Sequence, residues 1–294
     1  MSIAKKNTHK LQRKENPDEC RDFLHQVVRN DARNVASLTN GSPVQCVITS
    51  PPYWGLRSYG AKKEIGAEST VSEYLDSLSE VFTSIREILS DDGTLWVIIG
   101  DSYTSGNRRY RDDDKKHLHR AMTTRPRTPD GLKRKDLIGL PWKVAFRLQE
   151  DGWYLRSDII WHKTNPIPES VKDRPHQSHE HIFLFSKSEK YKFNYSELKD
   201  ASVAFNAARN VWSCAVNSNG AAGHAAPFPI ELVRPCILAS TESGDLVLDP
   251  FAGSGSVGVA SKILNRCFLG IDLIPNNVKL AKKRLKSTII ELMD

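Results

Sequence analysis

Val44 to Ile48 form an apolar run that ends in Thr49-Ser50-Pro51-Pro52-Tyr53-Trp54. Far downstream, Leu246 to Leu248 form another, ending in Asp249-Pro250-Phe251-Ala252-Gly253-Ser254-Gly255. Short apolar runs bounded by turn residues read as strands buried on both faces. A strand of that kind belongs in a sheet covered by helices on both sides. The neighbouring segments supply such helices. Val71, Tyr74, Leu75, Leu78, Val81, Phe82, Ile85 and Leu89 recur at helical spacing, in a helix expected to stop near Asp92-Gly93. Thr94–Ile99 is a further buried strand that ends at Gly100-Asp101. Strand, helix, strand is a βαβ unit, so Cys46–Thr49 and Thr94–Ile99 should run parallel.

The alternation continues. Ile138 to Gln149 reads as a helix with Pro141 in its first turn, closed by Asp151-Gly152. Trp153–Trp161 and His181–Phe185 read as strands, joined by an irregular polar link from His162 to Glu180. Residues 200–226 are small and polar, and read as loop. Pro229 to Ser240 is helical, Leu246–Asp249 a strand, Ser256 to Asn265 a helix, and Cys267–Ile271 a strand ending in Asp272. A last helix starts near Pro275. The expected fold is α/β, a doubly wound and mainly parallel sheet.

At 294 residues the chain holds one large α/β domain with insertions or two small domains. No apolar stretch reaches membrane-spanning length, and no secretory h-region is seen, so a cytoplasmic protein is expected. The five cysteines are scattered and lack C-x-x-C spacing, which argues against a zinc site or a disulfide framework. His176, His179 and His181 show no metal-ligand pattern and read as packing or polar side chains; no metal is expected. The net charge is +7 and the pI about 9.1, a balance that suits a polyanionic partner. The positive charge gathers in two places. One is residues 1–16, read as a basic, disordered arm. The other is the 102–136 loop with Arg108, Arg109, Arg111, Lys115, Lys116, Arg120, Arg125, Arg127, Lys133, Arg134 and Lys135. That loop has no periodicity and is expected to be mobile.

The glycine turn after Leu246–Leu248 follows a buried strand and opens a helix, and Asp272 ends the next strand. In a doubly wound sheet an acid there accepts hydrogen bonds from ribose hydroxyls. A triphosphate loop would need G-K-[ST], which is missing. The Ser50-Pro51-Pro52-Tyr53 turn suits a planar base that carries an amino group. The lone pair of such an amine is delocalised into the ring. Acceptors for both its hydrogens, here the Ser50 hydroxyl and the Pro51 carbonyl, can pull the nitrogen toward tetrahedral geometry and stabilise the developing positive charge. Two prolines hold that backbone fixed. Tyr53 offers a stacking face, and Trp54 a second aromatic surface. The plainer alternatives are a strand-end turn with an aromatic lid and a structural glycine turn.

These two motifs resemble those of the amino-methylating DNA methyltransferases. Their order, socket first and glycine loop last, resembles the permuted beta group, with a Rossmann-like domain and inserted DNA-recognition loops. Thr94-Leu95-Trp96-Val97, Gly100-Asp101-Ser102-Tyr103, Lys135-Asp136-Leu137-Ile138-Gly139 and Gly152–Trp161 are also similar to family segments. So are Pro168-Glu169-Ser170, Asp173-Arg174-Pro175, His179-Glu180 and Phe228-Pro229 with Glu231-Leu232. The resemblance implies S-adenosylmethionine (AdoMet) as methyl donor and S-adenosylhomocysteine as product. Asp249, Pro250, Phe251, Gly253, Ser254 and Gly255 would hold the methionine end, and Asp272 the ribose. Asp22, Phe228 and Pro229 are further candidates for the cofactor pocket. Ser256 departs mildly from the family, where Thr is common.

The implied substrate is double-stranded DNA with its target base flipped out. Transfer would be direct, without a cysteine nucleophile; Pro235-Cys236 falls in an expected helix. Serine in this turn goes mostly with cytosine N4 and aspartate mostly with adenine N6, so N4-cytosine is expected and N6-adenine is the alternative. A non-catalytic AdoMet- and DNA-binding protein, or an RNA or small-molecule methyltransferase, are the rival classes. The expected organisation is a methyltransferase domain over 17–294. Its catalytic half is about 17–101, its recognition segment lies within 162–226, and its AdoMet-binding part is about 227–294. Trp161, His162 and Lys163 would border the base pocket. Family members are often dimers, which makes a homodimer an expectation, and a cognate restriction enzyme stays open.

Overall fold

A computed structural model describes residues 25–55, 64–104, 126–201, 204–216 and 228–288. Eight strands form one sheet: β1 (Gln26–Arg29), β2 (Val44–Thr49), β3 (Leu89–Ile99), β4 (Tyr154–Lys163), β5 (His179–Ser186), β6 (Val211–Cys214), β7 (Leu246–Asp249) and β8 (Cys267–Asp272). Their order is β1-β8-β7-β2-β3-β5-β4-β6. β5 runs antiparallel to both its neighbours, and every other pairing is parallel. The expected doubly wound, mainly parallel sheet is what forms.

The helices are α1 (Val35–Leu38), α2 (Val71–Ile88), α3 (Leu140–Glu150), α4 (Tyr195–Asp200), α5 (Ile230–Ser240), α6 (Ser256–Ile263) and α7 (Pro275–Ser287). They cover both faces of the sheet. Successive residues of a strand point to opposite faces. Val47, Leu95, Val97 and Leu248 accordingly pack with Tyr74, Phe82 and Ile85 of α2 and with Val144 of α3. Cys46, Ile48, Trp96 and Val247 pack with Leu232, Cys236, Val257 and Ala281 of α5, α6 and α7.

Local chemistry sets the ends of the elements. α2 begins with a reciprocal cap: the Thr70 hydroxyl accepts from the Glu73 backbone N–H, and the Glu73 carboxylate accepts from the Thr70 N–H. α2 ends at Ile88, short of the expected Asp92-Gly93 stop. Leu89 is already extended and pairs with Val44, and the register then jumps so that Cys46 faces Thr94. The extra residues bulge, and Gly93 is needed there because a Cβ would come within 2.6 Å of Leu89 Cγ. α3 starts at Leu140 rather than Ile138. Asp101 explains this, since its carboxylate accepts from the backbone N–H groups of Gly139 and Leu140 at 3.0 Å.

Three expectations are corrected. The stretch read as loop over 200–226 contains β6, and α4 precedes it. β1 was not anticipated. His162 and Lys163, read as the start of a polar link, lie inside β4. Cys46, Cys214 and Cys236 are free and buried. Among the described residues, no helix is long and apolar enough to cross a membrane.

Candidate active site

β2 and β7 are neighbours at the centre of the sheet, and the chain leaves them in opposite directions. After β2 it proceeds through α2 to β3; after β7 it proceeds through α6 to β8. A crevice at the carboxyl ends of two such strands is where open α/β sheets bind ligands. The two motifs sit at that crevice. They are joined directly: Thr49 Oγ1 donates to Asp249 Oδ1 at 2.7 Å. Asp249 is buried and also accepts from the Phe251 N–H at 3.1 Å. Its carboxyl, read in sequence as part of the cofactor site, therefore faces the junction between the motifs. Burial above all pushes it up to about 7, with the negative charge of Asp272 adding to the effect and the Thr49 and Phe251 hydrogen bonds opposing it.

On the β7 side the glycine turn is held from several directions. Gly253 and Gly255 both have positive φ, at 50° and 80°, a region that glycine adopts without steric cost. Ala252 N–H donates to the Ile271 carbonyl at 2.8 Å, and Arg284 donates to the Ser254 carbonyl and hydroxyl at 2.8 Å each. A Cβ on Gly255 would come within 2.9 Å of Ala281 Cβ, so only glycine lets α7 approach. Asp272, at the end of β8, accepts from Gly253 N–H at 2.8 Å, from Ile274 N–H at 2.8 Å and from the Asn277 amide. The acid assigned to the ribose is thereby tied to the loop assigned to the methionine end. The arrangement of glycine turn and strand-end acid fits a nucleoside-bearing cofactor. Pro250 is buried and Phe251 half-buried in the same turn. Phe228 packs against the core on the α5 side, and Pro229 is the N-cap of α5. Asp22 lies outside the described residues.

On the β2 side the Ser50–Trp54 turn is braced by α2 and the segment before it. The Tyr74 hydroxyl donates to the Pro52 carbonyl at 2.9 Å. Trp54 is buried, and its indole N–H donates to the Glu68 carbonyl at 2.9 Å. Gly55 N–H donates to the Gly66 carbonyl at 2.8 Å, which closes the turn. A Cβ on Gly66 would come within 3.2 Å of the Tyr53 carbonyl. Pro51 is buried; Ser50 and Tyr53 are half-buried. The Tyr53 hydroxyl donates to Glu180 Oε2 at 3.0 Å. Burial first, then the Glu180 carboxylate, push the Tyr53 phenol well above its ordinary value, against the pull of a hydrogen bond with Ser50. Tyr53 therefore stays neutral across the working range.

Sequence reasoning missed the part played by Glu180. The His179-Glu180 pair drew notice only as a family segment, because its approach to Tyr53 depends on how β5 pairs with β3 and β4. Lys163, expected beside the base pocket, reaches Glu180 Oε1 at 2.5 Å. His181 bonds Asp158 at 2.8 Å, and His176 bonds the Val171 carbonyl at 2.9 Å. Among the described residues no three His, Cys, Asp or Glu side chains gather as a metal site.

Of the candidate DNA contacts, Arg127, Lys133 and Arg134 are exposed. Arg108, Arg109, Arg111, Lys115, Lys116, Arg120 and Arg125 lie outside the described residues. The ends of the basic stretch are tied together: Tyr103 bridges to Leu137, and Thr104 Oγ1 donates to the Lys133 carbonyl at 2.6 Å. The 162–226 segment docks on this base. The Arg174 guanidinium lies 3.7 Å from the Tyr103 ring centroid and pairs with Glu169 at 2.6 Å, and Lys135 pairs with Asp173 at 2.5 Å.

A family model described as DNA methylase matches residues 44–283. The type II methyltransferase M.Cfr9I of Citrobacter freundii is 54% identical over 263 residues, 88% of this chain and 87% of that protein. Among solved structures, a DNA modification methylase of Thermus thermophilus, TTHA0409, was determined in complex with S-adenosyl-L-methionine. It is 26% identical with a TM-score of 0.61, over 90% of this chain and 95% of that one. The cytosine-N4-specific PvuII DNA methyltransferase is 21% identical with a TM-score of 0.67, over 90% and 88% of the two chains. That last likeness establishes the fold. With its socket and glycine turn joined across the centre of one doubly wound sheet, the chain belongs to the N6/N4 DNA methylase family of amino-methyltransferases.

Proposed function

We propose that this protein methylates the N4 amine of a flipped-out cytosine in double-stranded DNA, with AdoMet as the donor. The observation that carries the reading is the Thr49–Asp249 hydrogen bond of 2.7 Å. It supports the reading because the Ser50–Tyr53 turn and the Asp249–Gly255 turn leave adjacent strand ends, as a shared methyl-transfer site requires. AdoMet supplies an electrophilic methyl on a sulfonium. The rest is done by the chain. Asp272 and the Gly253–Gly255 turn hold the cofactor. Ser50 and the Pro51 carbonyl accept the hydrogens of the amine. As the nitrogen forms its bond to carbon, the carbon–sulfur bond breaks and its electron pair stays on sulfur. The extra proton of the methylated nitrogen would then pass to solvent water. Tyr53, neutral, stacks on the base.

Ser50 favours cytosine over adenine in this reading, because the family resemblance associates serine in this turn with N4 chemistry. The exposed Arg127, Lys133 and Arg134 supply phosphate contacts. A restriction enzyme of the same specificity is the partner to look for, and a homodimer the assembly. The test is to incubate the protein with AdoMet and unmethylated genomic DNA, digest to nucleosides and analyse by mass spectrometry. N4-methylcytosine is expected. N6-methyladenine would keep the enzyme class and overturn the base.

A further inference from the structure

We propose that Glu180, held in turn by Lys163, is a positioning residue for methyl transfer, fixing the Tyr53 ring on which the target base stacks. The inference rests on the methyltransferase function proposed above. Three elements supply the chain of contacts: the turn after β2 gives Tyr53, β5 gives Glu180 and the end of β4 gives Lys163. Among the described residues each Glu180 carboxylate oxygen has one partner. Oε1 accepts from Lys163 Nζ at 2.5 Å and Oε2 from the Tyr53 hydroxyl at 3.0 Å. The ammonium also sits 4.9 Å from the Trp161 ring centroid. Gly100, at the end of β3, leaves the space in which Glu180 and Tyr53 meet. A Cβ there would lie 3.1 Å from Glu180 Cγ and 3.2 Å from Tyr53 Cε2.

The Tyr53 ring is thus held at several points. Its hydroxyl is bonded to Glu180, its edge rests on Gly100, and its backbone is packed on Gly66 and braced through Pro52 by Tyr74. The Lys163 and Glu180 side chains are only 21% and 15% exposed. A pair of ions this far from water contributes little net stability, since desolvation offsets attraction. Its position explains it better than its energy does. The carboxylate is the anchor for the hydroxyl of the stacking ring, and the ammonium gives that carboxylate its direction and its charge. A stacking face that wanders by about 1 Å would cost turnover while leaving the cofactor site intact.

The test uses tritiated AdoMet and unmethylated bacterial genomic DNA to obtain kcat and both KM values for Glu180→Ala, Glu180→Gln, Lys163→Met, Tyr53→Phe and the Tyr53→Phe/Glu180→Ala double variant. Calorimetric AdoMet titration and thermal melting accompany each. Loss of a hydrogen bond to a charged group should lower kcat of Glu180→Ala about 10- to 100-fold, with AdoMet affinity within twofold of wild type. Glu180→Gln should recover most of the loss, because it keeps an acceptor for the hydroxyl. The double variant should be no slower than the slower single variant. Multiplied losses in the double variant, or wild-type kcat in Glu180→Ala, would overturn the proposal. If Glu180→Ala does not fold, Glu180→Gln and Lys163→Met are read with and without the Tyr53 hydroxyl. Losses that persist undiminished without it overturn the proposal equally. A wild type that transfers methyl to adenine changes the target base and leaves this test standing. One that transfers none to DNA overturns the function and this inference with it.

Discussion

Replacing Asp249 with asparagine should remove a pH dependence of stability that the buried carboxyl imposes. Burial pushes this group up to about 7, whereas an unfolded aspartate titrates near ~3.9. Between those values the folded state holds a proton that the unfolded state has released. Stability then falls as pH rises, by about 1.4 kcal/mol per pH unit. The contribution is complete below about pH 4 and gone above about pH 7, a span worth ~4 kcal/mol. Asn cannot ionise, yet it keeps an acceptor oxygen for the Thr49 hydroxyl and the Phe251 N–H. Other groups titrate in both proteins alike, so the informative quantity is the difference between them. From pH 5 to pH 8, about two units lie on the slope. The Asp249→Asn variant should gain about 3 kcal/mol relative to wild type over that interval. Urea unfolding of both proteins at pH 5, 6, 7 and 8, without AdoMet, measures this directly. A stability difference that stays flat across the series would refute the reasoning, because it would mean that Asp249 does not bind its proton more tightly when folded.

Four further outcomes are expected. Ser50→Ala should lower kcat at least about 100-fold, the scale of losing one acceptor aimed at developing charge, with AdoMet affinity unchanged by calorimetry; full activity would refute the assigned chemistry. Asp272→Ala should weaken AdoMet binding about 10- to 100-fold, since it removes the proposed ribose acceptor and frees the Gly253 N–H and the Asn277 amide at once; an unchanged Kd would exclude the assigned role. Gly255→Ala should destabilise the fold by about 1–3 kcal/mol, because the added Cβ meets Ala281 at 2.9 Å on a backbone with φ of 80°; an unaltered melting curve would contradict the packing. Changing Arg127, Lys133 and Arg134 together to Gln should reduce the slope of log K against log salt for DNA by about 2.7, at roughly 0.9 per lost phosphate contact. An unchanged slope would place these side chains off the DNA.

The parts of the fold legible in the sequence are those whose signal is local. β7 and β8 stand out because their apolar runs are bounded by glycine turns and acids, and α2 because its apolar stripe repeats over five turns. The Ser50–Tyr53 and Asp249–Gly255 motifs are legible for the same reason: their residues are covalent neighbours. β1 and β6 are four residues each, too short to show a period. Each is a strand only because a distant partner, β8 or β4, offers it a ladder. The end of α2 is misread because Leu89 continues the helical spacing while pairing with Val44 takes it into the sheet. The Lys163–Glu180–Tyr53 contact is invisible in sequence because it depends on the reversed direction and register of β5. The link between Thr49 and Asp249 is hidden likewise, since nothing local says that the two strands adjoin.

The placing of β2 bears on how the enzyme is made. The strand that carries the socket sits between β3 and β7, and β1 pairs with β8, so early segments must wait for late ones. As the chain leaves the ribosome, the half bearing Ser50 emerges with the inner edge of β2 unpaired and Thr49 without its acceptor. Pairings of such long sequence separation form late. Until synthesis has passed residue 272 the chain lacks the glycine turn and the acid proposed to hold the methyl donor, and Thr49 lacks its partner. A chain interrupted before residue 246 would carry Ser50 without β7, the glycine turn or Asp272, so the sheet order keeps an early half from acting alone.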